Sequence, residues 1–187
     1  DKSRSRGLGD VYKRQVSLTE LGSIKINKEE RTKMYKTIPR SSVIGFLIGV
    51  LPGAGATIAS FLAYGMERNV VSDEEKEKFG KGSVNGLSAP ETANNAACSG
   101  SFVPMLPLGI PGSGTTAVML GALLGFGVQP GPRLYMTNPE IFWSIIMSMY
   151  IGMVILLILN LPLIPYIARI LAVPKNYLIP LILFFSV

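Results

Sequence analysis

Uncharged apolar runs and charged interruptions alternate along the chain in a pattern that fits helices crossing a bilayer. Residues 41–65, "SSVIGFLIGVLPGAGATIASFLAYG", hold no charge and exceed the ~20 apolar residues that a crossing requires. The segment 66–83 follows with four basic residues and five acids and reads as a solvated face. Residues 84–97 are small and polar. A second uncharged run extends from Cys98 to Val128. As one helix it would reach roughly 45 Å at about 1.5 Å per residue, beyond a ~30 Å hydrocarbon core. Pro104, Pro107 and Pro111 interrupt it, so it reads as two shorter helices joined at "LGIPGSG". Beyond a polar connection at 129–140, residues 141–161 form the cleanest spanning helix, with Trp143 and Tyr150 suited to packing or interface anchoring. The expected fold is all-α: a polytopic integral membrane protein with broken or re-entrant helices. Its membrane domain is expected over 41–187, with helical stretches at about 41–65, 90–128, 141–161, 163–173 and 177–187.

Composition agrees with that reading, since 48% of the 187 residues are hydrophobic and only 16% charged. The net charge of +6 needs correction. Residues 1–15, "DKSRSRGLGDVYKRQ", are aperiodic and resemble translated adapter read-through more than a targeting peptide. They carry five basic residues and two acids, so without them the excess falls by three to about +3. No basic stripe interleaved with aromatics remains, which argues against nucleic acid as a partner. The final run "PLILFFSV" stops inside an apolar stretch, and the chain is expected to be a fragment. Residues 16–40 read as a basic cytoplasmic segment. Basic residues flank 41–65 on both sides, and the positive-inside rule then places both flanks in the cytoplasm. A single crossing cannot do that; a hairpin turning at Pro52–Gly55 can. Histidine is absent, which excludes a histidine base, ligand or proton relay in this chain. The single cysteine, Cys98, lies among small residues and reads as a packing residue.

The unusual feature is a repeated helix breaker. "LPGAGAT" (51–57) and "IPGSGTT" (110–116) share the form [LI]PG[AS]G[AT]T, and both sit at hydrophobic depth. Breaking a helix there frees backbone N–H and C=O groups that lipid cannot satisfy. Such breaks are tolerated where protein or a polar cavity meets those groups, and in secondary transporters they mark the solute site. Gly53, Gly55, Gly112 and Gly114 permit positive φ and close approach. Thr57, Ser113, Thr115 and Thr116 add hydroxyls, and the half-helices opening after each break offer N–H groups to an anion. Ala54 belongs to the same loop. Small residues also line tight helix contacts in membranes, so one such loop is ambiguous between packing and binding. Two matching loops favour binding.

"APETANNAACSG" (89–100) is the other informative stretch. Pro90 and Glu91 suit the first turn of a helix capped at Ser88 or Ala89. Asn94 and Asn95 are costly beside lipid unless used; their amides could hold a carboxylate, and their carbonyls Na⁺. A Na⁺ site is accordingly expected near Glu91 and Asn95. "GSGTTA" matches a loose dinucleotide pattern, but "FVPMLPLGI" before it is no strand, and neither glycine loop carries a P-loop lysine. No catalytic residue, and hence no enzyme, is expected. A membrane-embedded enzyme would have only Glu91, Cys98 and scattered hydroxyls to work with, and an accessory subunit without a solute site would not need paired breaks.

Two stretches, "GVLPGAGATIASFLAYGMER" and "FGKGSVNGLSAPETANNAACSGSFVPMLPLGIPGSGTTAVMLGALLGFGVQPGP", closely resemble the second half of the large membrane subunit of tripartite tricarboxylate transporters, the TctA family. The resemblance covers roughly residues 38–187. The family's glycine-rich signatures fall on Leu51–Thr57 and Ile110–Thr116, and its "PExANNA" element on Pro90, Glu91, Ala93, Asn94, Asn95 and Ala96; Thr92 stands where members often carry Ala. The resemblance implies a multi-pass permease of the bacterial inner membrane, built from two related halves. It implies uptake of a di- or tricarboxylate driven by an ion gradient, Na⁺ or H⁺, with no other cofactor. The implied partners are a small membrane subunit and a periplasmic solute-binding protein. The uncharged runs hold no Arg or Lys, so neutral donors, with a co-bound cation, are expected to hold the solute. A second half alone is not expected to transport.

Overall fold

A computed structural model of the chain describes residues 26–170, 180 and 182–184. Every regular element among them is helical: α1 (Lys28–Val50), α2 (Gly55–Val70), α3 (Asp73–Lys76), α4 (Val84–Gly100), α5 (Phe102–Leu108), α6 (Gly114–Gly125), α7 (Leu134–Thr137) and α8 (Pro139–Ile170). The described residues fall into two compact units, Ile26–Ile146 and the part from Met147 on.

α1 starts inside the segment read as a basic cytoplasmic tail. Asn27 caps it, its backbone N–H donating to Glu30 Oε2 at 2.8 Å, the reciprocal half of a capping box. The helix ends where Pro52 forces Leu51 into an extended conformation (φ −77°, ψ 118°). Gly53 (φ +82°) and Gly55 (φ +68°) then reverse the chain, a path only glycine follows without strain. α2 returns antiparallel to α1, so Arg40 and Glu67 meet at the same end of the hairpin, at 2.9 Å. The stretch 41–65 is therefore the tip and upper arms of a helical hairpin.

α4 lies parallel to α1. Thr37 meets Asn85, Gly45 lies on the backbone of Ala93, and Gly49 on that of Ala97, so close that a Cβ at either glycine would collide with a backbone carbonyl. The buried positions recur every fourth residue on all three helices: Thr37, Ser41, Gly45 and Gly49; Ala59, Ala63 and Glu67; Asn85, Ala89, Ala93 and Ala97. Four-residue spacing holds one face of a helix, and small residues let helix backbones touch, as membrane helices do. Large apolar side chains point outward, Phe61 being 74% and Val118 75% exposed. Small and polar groups inside with bulky apolar groups outside is the inverse of a water-soluble domain; it is the arrangement of a membrane protein.

Three expectations need correction. α4 begins at Val84, capped by Ser83, whose Oγ accepts from the Gly86 N–H at 3.1 Å. Pro90 and Glu91 therefore sit in the second turn, not the first. Ser83 wins because its hydroxyl satisfies a free N–H of the helix start. Ser88, the expected cap, lies inside the helix instead, its Oγ donating to the Val84 carbonyl at 2.6 Å. The second correction concerns 66–83, where Glu67 is fully buried and Glu75 nearly so; α2 extends its small-residue stripe one turn into the charged segment. The third is at Pro162, where no break occurs. α8 runs continuously through it to Ile170; proline forgoes one helical hydrogen bond, whereas ending the helix among apolar residues would free several backbone groups. Within α8, Pro139–Ile164 has a mean hydropathy of 2.4 and is the one helix among the described residues long and apolar enough to span a bilayer unaided. The helix expected over 177–187 and the end of that at 163–173 lie mostly outside the described residues.

A second cluster forms around Met105, Leu106 and Leu134, with Phe102, Leu120, Leu123, Phe142 and Ile145 packed on it. It seats α5, α6, α7 and the start of α8. α5 ends at Gly109 in the left-handed region (φ +69°), which turns the chain into the second glycine loop.

Candidate functional site

The two glycine loops, fifty-nine positions apart, touch. The Gly53 N–H donates to the Gly112 carbonyl at 3.2 Å. Gly112 is buried against the α4 end and α1, where a Cβ would stand 3.0 Å from Ser101 Cβ and 3.4 Å from the Gly49 carbonyl oxygen. The four glycines thus divide by role. Gly53 and Gly55 supply positive φ, Gly112 supplies close approach, and Gly114 does neither, having no positive φ and open space where a Cβ would stand.

Both loops line one open pocket of about 640 Å³, in the range of small-molecule sites. Its wall takes Gly53, Gly55, Ala56 and Thr57 from the first loop and Pro111–Ala117 from the second. Ala97, Cys98 and Ser101 of the α4 end, Phe102 of α5 and Met119 of α6 close the rest. No charged side chain is among them. The N-termini of α2 and α6 both open on this space. α2 has no side-chain cap over its first N–H groups, Ala54 at the cap position being unable to provide one. α6 is capped by Ser113, which accepts from the Thr116 N–H at 3.3 Å, and Thr116 Oγ1 accepts from the Ser113 N–H at 2.8 Å and donates to its carbonyl at 2.9 Å. The Thr116 hydroxyl is thereby occupied in shaping the loop, while Thr57 and Thr115 are exposed and supply the free hydroxyls. Two helix N-termini thus border one cavity without charged side chains, and helix starts carry a partial positive charge.

The polar cluster of α4 does not converge on this pocket. Adjacent residues of a helix point about 100° apart, so Asn94 and Asn95 cannot share a site. Asn94 is half-buried towards α2, its Nδ2 donating to Ser60 Oγ at 3.4 Å. It lines a separate cavity of about 370 Å³ with Thr57, Ser60 and Tyr64, so Thr57 borders both spaces. Asn95 is exposed, and its Nδ2 donates to the Glu91 carbonyl at 2.9 Å. Glu91 is exposed on the same face, one turn away. Among the described residues no three His, Cys, Asp or Glu side chains gather as a metal site. Cys98 is exposed at the pocket wall rather than packed inside.

Sequence reasoning missed a second polar assembly at the opposite end of the three helices. Glu67 Oε1 accepts from Thr37 Oγ1 (2.8 Å), Arg40 Nη2 (2.9 Å) and Asn85 Nδ2 (3.2 Å), while Arg40 Nε donates to Oε2 at 3.1 Å. The signal was present: Thr37, Glu67 and Asn85 each continue a four-residue stripe of small residues, which places them on the buried face. Just outside it, Glu75 takes hydrogen bonds from Lys33 (3.0 Å), Lys78 (3.3 Å) and Ser83 (3.4 Å). The Lys33 ammonium holds the Glu75 carboxyl below the usual carboxylate range, and Glu29, followed by Glu75, raises Lys33 above the ordinary lysine value.

A family model described as the tripartite tricarboxylate transporter TctA family matches residues 3–187. Two proteins of Agrobacterium vitis are similar. One, described as an uncharacterized 52.8 kDa protein in the TAR-I ttuC' 3'region, is 39% identical over 181 residues, 97% of this chain and 36% of that protein. The other, described as an uncharacterized protein in the TAR-II ttuC' 3'region, is 44% identical over 142 residues, 76% of this chain and 58% of that protein. The chain thus spans between about a third and three-fifths of the length of these relatives. No solved structure matches it.

Proposed function

The chain belongs to the tripartite tricarboxylate transporter TctA family, and on that premise we propose that its glycine-loop pocket holds the carboxylate solute of a membrane permease. The observation that carries this reading is the Gly53–Gly112 contact, which turns two separate helix breaks into one cavity faced by two helix N-termini. A solute with two or more carboxylates has a group for each helix end. Backbone N–H groups and the hydroxyls of Thr57 and Thr115 would hold them, with Ser113 shaping the second loop. Such a site binds anions without a buried Arg or Lys, and a co-bound Na⁺ or a proton would offset the remaining charge. Glu91 and Asn95 lie outside this pocket and are retained only as a candidate cation-facing pair. In this reading uptake is driven by an ion gradient across the bacterial inner membrane. A periplasmic binding protein delivers the solute, and a small membrane subunit completes the assembly.

Cys98 provides the test. In the full-length protein in membrane vesicles, a maleimide should alkylate Cys98, and citrate or a C4 dicarboxylate should slow that reaction several-fold while acetate does not. Alkylation should also stop uptake. Equal labelling rates with and without every di- and tricarboxylate tried would remove the pocket as the solute site.

A further inference from the structure

The seam between α1 and α4 accommodates two registers. In the one observed, Thr37 faces Asn85, 48 positions on; Gly45 and Gly49 face Ala93 and Ala97 at the same offset, which sets Ser41 against Ala89. Sliding α1 by one turn, about 6 Å at roughly 1.5 Å per residue, places Gly45 on Ala89 and Gly49 on Ala93. Small residue meets small residue again, so the seam itself carries no register information. Its polar positions do. Ser41 Oγ and Asn85 Oδ1 are buried with no hydrogen-bond partner among the described residues, Ser41 being fully buried and Asn85 only 6% exposed. Buried polar atoms are rarely left unpaired. The slide towards the α1 N-terminus brings Ser41 opposite Asn85, so the two groups orphaned in one register become partners in the other. The reverse slide would bury Lys33 there.

α2 travels with α1. Glu67 is bound by Thr37 and Arg40, both within the hairpin, so the buried ion pair survives the slide. At this end Asn85 exchanges its bonds and the Lys33–Glu75–Ser83 bridge opens, while farther along Ser60 leaves the Pro90 carbonyl and Asn94. At the other end the slide withdraws Gly53 from the Gly112 carbonyl. We propose that the α1–α2 hairpin is a two-register ratchet on α4, in which Asn85 changes partner from Thr37 and Glu67 to Ser41 and the second register opens the pocket. One-turn jumps of packed helices are a known form of switching.

Spin labels on native Cys98 and on Tyr35→Cys, both exposed positions, report the register in the full-length protein in lipid bilayers, with any other cysteine replaced. Along the helix axis the two sites are about 22 Å apart at roughly 1.5 Å per residue, and the second register adds about 6 Å. Double electron–electron resonance should resolve two distance populations about 5 Å apart. Ser41→Ala, which keeps the small seam and removes only the new partner, should deplete the longer one on the order of tenfold. A single population, or a ratio unmoved by Ser41→Ala, would overturn the ratchet. The opening of the pocket rests on its reading as the solute site, and the two fail separately: loss of Cys98 protection removes the solute site and leaves the populations in place, whereas a single population leaves protection intact.

Discussion

Glu67→Gln isolates the buried ion pair without changing its shape. Glu67 is fully buried and accepts four hydrogen bonds, two of them from the Arg40 guanidinium at 2.9 and 3.1 Å. Removing one partner of a buried pair typically costs about 3–5 kcal/mol. The Arg40 side chain is 35% exposed, so water takes up part of its lost partner and the lower end, about 3 kcal/mol, is expected. For a cooperative unit of about 150–250 residues, 1 kcal/mol moves Tm by about 2–4 °C, giving a fall of roughly 6–12 °C. Thermal unfolding of the full-length protein in detergent, followed by loss of the monodisperse species, measures it. Arg40→Gln should cost at least as much, because it leaves the fully buried Glu67 carboxylate with only the neutral donors Thr37 and Asn85. The double variant should lie close to Glu67→Gln, since the guanidinium no longer lacks a counter-charge. A Tm within about 2 °C of the parent for Glu67→Gln would refute the burial argument, as would full additivity of the two single changes.

The two second-loop glycines should differ. Gly112→Val meets Ser101 Cβ and the Gly49 carbonyl at once and should abolish uptake, whereas Gly114→Ala, with open space before it, should retain uptake within about twofold, since Ala costs little in a helix's first turn; uptake assays of both decide it. Thr57→Val and Thr115→Val remove the free hydroxyls of the pocket and should each raise the uptake KM roughly tenfold with little change in Tm, since a lost hydrogen bond to a charged ligand is worth about 1.5–3 kcal/mol. Unchanged KM for both would exclude these hydroxyls from binding. For pH, Glu75 is lowered, so its contribution to stability is present above the ordinary carboxylate pKa and is lost as pH falls through its lowered value. Lys33 is raised, so its contribution is present below the ordinary lysine pKa and is lost as pH rises through its raised value. Tm should therefore be insensitive to this pair near neutrality and fall in acid, and Glu75→Gln should flatten that part of the acid limb.

Much of this architecture can be read directly from residue pattern. Charge flanking 41–65 on both sides implies a hairpin, and the arms of α1 and α2 meet at Arg40 and Glu67. The matching loops imply tips that face one space, and Gly53 and Gly112 touch at the edge of one cavity. What was not legible follows from the weakness of composition as a guide to burial. Glu67 lies among charges in sequence, yet its position four residues after Ala63 fixes its direction more strongly than its neighbours do. Asn94 and Asn95 are adjacent in sequence and so point apart in a helix, which no reading of them as one unit could respect. Pro90 suggested a helix start because proline is favoured there, but Ser83, seven residues earlier, had the side-chain oxygen that a helix start needs.

The mutual dependence of the two loops explains why both breaks persist at hydrophobic depth. A broken helix in lipid leaves backbone groups whose exposure costs several kcal/mol each. Here the Gly53 N–H and the Gly112 carbonyl satisfy one another, and Gly112 can approach only because Gly49 and Ser101 leave it just enough room. That bond satisfies one backbone group of each break without lipid or water. Of the two helix starts at the cavity, that of α6 is capped by Ser113 and Thr116, while that of α2 has no side-chain cap. A carboxylate bound there would complete the hydrogen bonding of the breaks, so solute and loop tips should be mutually stabilising. Were the hairpin to slide as proposed, it would sever this same contact, so a solute bound in the pocket would hold the loops together until its release.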